Sequence, residues 1–515
     1  MHTNNHSATW ETLTLFRRQV LVRNDFGSMA AKRRNARKPK GSQGVGSPHS
    51  TEEADVMLAE GRQATQQSIL LRKHVLHNGG RINMETKLAR IASMAKSDPN
   101  LRFTSIGHLI NEEALIACHR KMKPGKATGV DGITKEMYER ELGANVKNLV
   151  DRLKKKSYRP LPARRTYIPK DEKSRRPLGI PAYEDKLVQM ALKRLLEAIY
   201  EQDFLENSYG FRPGRSMHDA LKRVTYNMER GKMEYVVDAD ISGFFNHVNH
   251  EWLMKFLDKR IGDPNIHRLV KRMLIAGIQE NGVFEPTEEG TPQGSAVSPL
   301  LANIYLHYVL DLWFDAAVKK RLRGRAEMVR FADDFVCMFQ FKDDAERFYY
   351  ALLKRLAKFN LTVAEEKTKI IRFGRFAEAA RRKAGLGKPD TFDFLGFTHY
   401  CGKSRTGSFR VKRKTSKKKF RQKIKAFDAW MKQARHKKLT LTIPKIRAKL
   451  IGHFRYYGIT DNYKSVRTYS YLVQKSMFKW LNRRSQRQSY SKGKFYDLVE
   501  RWNLPKPRIY INIYD

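Results

Sequence analysis

Only three of the 515 residues are cysteines, Cys118, Cys337 and Cys401, and they lie far apart in the chain. That scarcity argues against a disulfide framework, excludes a paired-cysteine zinc module, and fits a reducing, intracellular setting. Long apolar runs are missing too. No stretch of about 18 apolar residues exists, so no membrane span and no membrane partner is expected. The N-terminus has no secretory pattern, because Glu11, Arg17 and Arg18 interrupt its one apolar stretch. The third shortage is acid. Asp and Glu number 53 against 101 Lys and Arg, a formal net charge of +48. Such an excess repels the folded chain from itself unless a polyanion neutralises it, and a long nucleic acid is the natural counterpart. A merely solvated basic surface needs far less charge.

What remains is enough to fold. Hydrophobic residues make up 41% of the chain and aromatics 11%, and the length suits two to four lobes. Residues 1–80 read as a basic, poorly ordered extension, with Lys32, Arg33, Arg34, Arg37, Lys38 and Lys40 ahead of a Gly- and Ser-rich stretch. From Thr86 the pattern is globular: Leu88, Ile91, Met94 and Ala95 recur at helical spacing, and Leu109, Leu115 and Ile116 suggest a second helix. Residues 164–181 read as strands and a turn, followed by a helix from Glu184 to Tyr200. Residues 234–241 form a short strand that places Asp238 and Asp240 on one face. A helix starts near Asn249, and another covers 298–319, with Ser298 as N-cap and Pro299 as its first residue. Residues 329–341 read as two apolar strands joined at Asp333-Asp334, and 392–400 as a further strand pair. Beyond Val411 the composition turns to basic helix. The fold class is α/β in the broad α+β sense.

Asp240 on a strand, beside a hairpin carrying Asp333 and Asp334, has the makings of a phosphoryl-transfer site. That chemistry asks a protein for positioning and charge neutralisation. Two divalent cations about 3.5–4 Å apart can activate an attacking hydroxyl and stabilise the leaving group. Mg²⁺ takes oxygen ligands, and Mn²⁺ can substitute for it. The apolar neighbours Val236, Val237, Val329, Phe331 and Val336 would hold the acids still. Taken alone, Asp333-Asp334 is as consistent with an ordinary turn. His247 and His250 have the spacing of a metal pair, but no further ligands stand nearby, and they read as a helix start.

The surroundings decide between these. FADD at 331–334, ADISGFF at 239–245, GTPQGSAVSPLLANI at 290–304, SYGFRPGRS at 208–216, and IPK with RPLGIP across 168–181 stand in one order along the chain. In these boxes the chain resembles the group II intron-encoded reverse transcriptases and maturases, from about Thr86 to Tyr469. The resemblance implies a right-hand polymerase: fingers with the start of the palm at 81–235, palm at 236–405, an α-helical thumb at 406–482 and a basic, DNA-binding tail at 483–515. It implies that Asp240, Asp333 and Asp334 hold two Mg²⁺ ions with the carbonyl of Ile241. Phe245 would be the ring that excludes a 2′-hydroxyl. Lys170 and Arg176 would hold the triphosphate, with Gln293 and Gly294 at the nucleotide. Phe211, Arg212 and Arg215 would touch the template, and Lys367 would support the primer side. Lys417, Lys418, Lys419 and Arg421, in a run of nine Lys or Arg from 412 to 425, would bind RNA. IGHFRYYG at 451–458 resembles the thumb, or maturase, segment.

Two departures from the family pattern are Asn246 and Asn249 where acids are usual, and Phe331 where Tyr is more frequent; neither removes a metal ligand. No zinc-bearing endonuclease is expected after Tyr469. The implied partners are group II intron RNA, an RNA template with a DNA primer, target DNA and deoxynucleoside triphosphates. The implied place is the cytoplasm or nucleoid of a bacterium, with an organelle as the alternative. Two rival readings stay open: a domesticated polymerase of repair or phage defence, and a maturase that has lost catalysis. The three acids and the two triphosphate cations argue against the second.

Overall fold

The computed structural model describes residues 83–169, 174–486 and 489–514. The extension 1–80 and Lys170 therefore lie outside the described residues. The chain divides into two units, Met1–Arg90 and Ile91–Asp515. Of the first, only residues 83–90 are described, as the opening turns of the helix Met84–Ser97. The account below concerns the second unit.

Three sheets organise it. The first is antiparallel throughout and runs β6-β7-β3-β8, from β3 (Tyr235–Asp240), β6 (Ala326–Phe331), β7 (Asp334–Phe339) and β8 (Lys369–Arg372). Its central strands are rich in Val, Phe and Met, the residues that suit a pleated surface packed on a core. Val236, Val237, Val329, Phe335, Val336 and Met338 have no exposed surface. The helices Lys342–Ala357 and Met217–Arg230 pack against this sheet. A second sheet, β2-β1-β4-β5, joins β1 (Ala163–Pro169), β2 (Arg175–Ile180), β4 (Ile278–Glu280) and β5 (Val283–Glu285). The helix Tyr183–Tyr200 follows it, as the apolar spacing leads one to expect.

The third sheet, β11-β10-β9, combines β9 (Phe392–Phe394), β10 (Phe397–Lys403) and β11 (Phe409–Thr415). The expected strand pair thus has a third member, and the basic helix begins at Lys417 rather than at Val411. Position 405, set as the end of the palm, falls between two strands of one sheet. Four helices complete the C-terminal part among the described residues, Lys417–Ala434, Leu439–Tyr457, Tyr463–Leu481 and Lys492–Arg501. One apolar cluster runs without a break from Leu221 and Val336, through Phe392 and Phe397, to Phe454, Tyr457, Val473 and Ile513. The helical part is therefore joined to the first sheet by shared core. The tail closes the same junction, with the Tyr510 and Ile511 backbone amides donating to the Gly458 carbonyl.

The helix expected over 298–319 is regular only over Ser298–Leu306 and continues in π-helical turns at His307–Asp311 and Phe314–Val318. Its N-cap is Val297, one residue earlier than expected, with Ser298 and Pro299 inside the first turn. Asn249 caps the helix His250–Asp258, its side chain accepting from the Trp252 amide at 3.0 Å. An amide caps as well as a carboxylate, so the family's acid is not missed at that position.

Candidate active site

β3 and β7 are neighbours in a register that sets Asp240 directly opposite Asp334. Directly opposed side chains in such a pair have Cβ atoms roughly 5 Å apart, so the two carboxylates share one face. Asp333 occupies the two-residue loop between β6 and β7, which Phe331 and Asp334 close as the last pair. Asp334 is thus the first strand residue and not part of the turn. The other loop residue, Ala332, has φ +59°, a conformation in which an L side chain costs about 1–2 kcal/mol.

Asp238, two residues before Asp240, faces the same way. The cluster therefore has four acids, of which the sequence pattern assigned roles to three. Their proximity shows in their protonation. Burial pushes the Asp334 carboxyl up to about 7, and Asp238, Asp333 and Asp240 push in the same direction. Asp238 is also raised to about 7, by burial, then by Asp393 and Asp240, against the pull of Lys369. Asp333 is raised by burial, with Asp240 adding and Arg176 and Arg330 opposing. Lys367 bonds Asp240 at Oδ2, 3.2 Å away. An ammonium thus neutralises the one acid of the set whose side chain is 45% exposed.

The donors are hard oxygens, which suits Mg²⁺. Among the described residues, however, no group of three or more His, Cys, Asp or Glu side chains converges closely enough to hold an ion. Asp240 would have to leave Lys367 to complete such a set. His247 and His250 serve other ends, reaching Glu289 Oε1 at 3.1 Å and the Gly290 carbonyl at 2.7 Å.

The flanking boxes fold onto this centre. Phe245 is half-buried, with its ring edge-on to Phe244 at 5.4 Å. Its carbonyl accepts from the Thr291 amide at 2.8 Å. The Gln293 carbonyl accepts from the Gly179 amide at 2.6 Å. Gly294 has φ +113°, and a Cβ there would stand 2.4 Å from the Gly179 carbonyl oxygen. Packing against β2 therefore already demands glycine at 294. Arg176 is exposed on β2, with its charge within reach of Asp333.

Phe211 is exposed, at φ +59°. Arg212 corrects the sequence expectation. It is buried, bonds Glu201 Oε2 at 3.0 Å, and donates to the Leu205 and Ser208 carbonyls at 2.8 Å each. Its guanidinium is committed to the fold and not to a template. Arg215 bonds the exposed Glu206 at 2.7 Å and stays near the surface.

A cleft of about 1070 Å³ opens beside the acids, lined by Asp238, Lys367, Asp393, Lys417, Lys418 and Arg421 among others. Lys419 is exposed but is not in that lining. Phe427, Phe454 and Tyr457 are core, buried beneath exposed cations. Tyr456 is not. It is 39% exposed and donates to the Leu395 carbonyl at 3.2 Å, in the turn that passes Asp334. Among the described residues no helix is long and apolar enough to cross a membrane.

Acids at a strand-and-hairpin centre, and a cleft beside them lined by the basic helix Lys417–Ala434, are the features of a template-directed nucleic-acid polymerase of the right-hand class. Residues 168–399 match the reverse transcriptase (RNA-dependent DNA polymerase) family. The protein YkfC of Escherichia coli is 36% identical over 281 residues, which cover 48% of this chain and 73% of YkfC. The group II intron-encoded protein LtrA of Lactococcus lactis is 37% identical over 231 residues, 44% of this chain and 38% of LtrA. A nuclear intron maturase of Arabidopsis thaliana, a mitochondrial protein, is 29% identical over 141 residues, 26% of this chain and 17% of its own. The chain belongs to the reverse transcriptase family, in its group II intron-encoded reverse transcriptase/maturase branch.

Proposed function

We propose that the protein extends a DNA primer along an RNA template, and that it binds group II intron RNA to assist splicing and retrohoming. The observation that carries this reading is the pairing of Asp240 with Asp334 beside the Asp333 turn, with two carboxyls of the cluster driven up to about 7. Four acids this close in a chain of net charge +48 make sense where a cation is to be held. Two Mg²⁺ ions, or Mn²⁺ in their place, held by Asp240, Asp333, Asp334 and the Ile241 carbonyl, would activate the primer hydroxyl and neutralise the leaving pyrophosphate. Lys367, which bonds Asp240 at 3.2 Å, would support the primer side of the site. Phe245 excludes the 2′-hydroxyl of a ribonucleotide. Arg176 and Lys170 hold the triphosphate, and the Gln293-Gly294 backbone limits the depth of the nucleotide pocket.

Phe211 and Arg215 meet the template. Lys417, Lys418 and Arg421 line the side of the cleft where a duplex backbone would run, and Lys419 extends that surface toward intron RNA. Residues 81–235 act as fingers with the start of the palm and 236–405 as palm. Residues 406–482 act as thumb, and 483–515 as a tail for target DNA. The setting is the interior of a bacterium or of an organelle.

The test is primer extension by the full-length protein on an RNA template with deoxynucleotides, with and without Mg²⁺. Mg²⁺-dependent product that disappears in Asp240→Asn is expected. Extension that persists without divalent cations, or no extension at all, contradicts the reading.

A further inference from the structure

Arg330 stands on β6, two residues before Ala332, and has no exposed surface. A guanidinium carries five N–H donors in a planar fork, and here every one of them is used. Nε and one Nη donate to the two oxygens of Asp311 at 2.8 and 2.5 Å. The same Nη donates to the Ser208 hydroxyl at 2.7 Å. The other Nη donates to Asn303 Oδ1 and to the Ala332 carbonyl, both at 2.9 Å. One buried cation thus ties the helix that follows the nucleotide box, the loop that leads to Phe211, and the turn that carries Asp333.

Charge compensation accounts for Asp311 alone. The remaining three donors go to neutral acceptors around the turn. A buried ion pair is weak support for stability, and its better-attested use is to specify one arrangement. The arrangement it specifies here is a strained one, with Ala332 at φ +59°. A second contact bears on the same turn. The Asn303 amide donates to the Gly210 carbonyl at 2.7 Å. A Cβ on Gly210 would come within 2.3 Å of the Ala332 nitrogen, too close for any side chain without displacing the turn.

We infer that Arg330 is a positioning residue. Its guanidinium, with Asn303 and the bare Gly210 backbone, fixes the Ala332-Asp333 turn and so the place of the Asp333 carboxylate. The inference rests on the proposed role of Asp333 in holding metal. Lysine at 330 keeps the charge against Asp311 but cannot form the fork, so it releases the turn and Asn303 together. Alanine at 210 keeps the Arg330 side chain and its Asp311 partner and pushes on the turn directly.

The experiment measures primer extension by Arg330→Lys and Gly210→Ala in the full-length protein. Three quantities are followed at a temperature where both variants stay folded: the rate at saturating substrates, the Mg²⁺ concentration for half-maximal rate, and primer–template affinity measured without metal. Both variants should fall about 10²-fold in rate, the scale expected for a reacting group displaced by about 1 Å. Both should need more Mg²⁺, at unchanged primer–template affinity. Should Arg330→Lys fail to fold, Gly210→Ala carries the same expectation by itself. A folded Gly210→Ala with wild-type rate and Mg²⁺ dependence overturns the inference, as does a loss confined to primer–template affinity. A wild-type chain without Mg²⁺-dependent synthesis removes the polymerase reading and the inference with it, whereas an active wild type with unaffected variants removes the inference alone.

Discussion

The proposed palm and the proposed thumb meet opposite electrostatic problems. In the palm, Asp238, Asp240, Asp333 and Asp334 are brought together, half-buried, on a strand and a hairpin whose apolar neighbours are buried. Their repulsion is met by raised proton affinity and by Lys367. In the thumb, cations are spread over exposed helix faces while Phe427, Phe454 and Tyr457 go inside. Water and salt screen such charges, which leaves each weak alone and strong in sum on a polyanion. On the proposed reading, the half-buried acids beside the cleft govern the rate of chemistry, and the exposed cations govern affinity. Substitutions in the two regions should therefore fail in different assays.

The largest effect is expected in the palm. Asp240→Asn or Asp333→Asn should slow primer extension by at least about 10³-fold, the loss expected when an essential metal carboxylate is removed, at unchanged RNA affinity. Near wild-type extension by a folded variant of either kind would break the contrast at its acidic end. Next in size is the thumb: Lys417, Lys418 and Arg421 to Ala together should weaken RNA binding and lower the salt slope by roughly 0.7–0.9 for each phosphate no longer neutralised. The rate at saturating template should stay close to wild type. A salt titration of binding reads the slope, and an unchanged slope would mean that these three cations touch no phosphate.

Phe245→Val sharpens the palm side by asking what the site rejects and not how fast it works. Opening the space beneath the sugar should improve ribonucleotide incorporation by about 10-fold or more relative to deoxynucleotide, within the range a steric pocket commands. Single-nucleotide incorporation with each substrate measures it, and unchanged discrimination at retained activity would place the gate elsewhere.

The smallest effect is on stability and reaches both regions. His453 is stacked on Tyr469 at 3.5 Å, and burial, then Lys423, drives it down to about 3. His399, in the sheet beside the palm, is also lowered to about 3, by burial and then Arg413. Each stays neutral in the fold while the unfolded chain takes up a proton near pH 6.5. The stability they contribute is present above that pH and is lost as pH falls toward 3, by up to about 1.4 kcal/mol per pH unit for each group. Melting curves from pH 7 to 5 should show the loss, and His453→Phe should make it shallower. A variant curve parallel to wild type would show that the ring is protonated in place.

The acids were legible because two periods coincide with them: alternation puts Asp238 and Asp240 on one face of β3, and the apolar runs around Asp333 define a hairpin. Sequence did not tell Arg212 from Arg215, since a motif fixes residue type but not which guanidinium turns inward to Glu201. Nor did it reveal Arg330, a single charge in an apolar strand whose meaning depends on Asp311 and Ser208, brought to it from elsewhere in the chain. The break after Leu306 escaped because π-helical turns keep a nearly helical spacing of apolar residues. The start of the basic helix was set too early because Lys412 and Lys414 look like basic helix while lying on β11.

On the proposed reading, one chain carries a metal-dependent polymerase site and a separate RNA-binding surface. The most direct measurement is a pair of assays on Asp333→Asn/Asp334→Asn, primer extension and intron RNA binding with splicing, at near-physiological salt. The account predicts that DNA synthesis is abolished while RNA affinity and splicing assistance are kept. Equal loss of RNA affinity and splicing in the folded variant would contradict it.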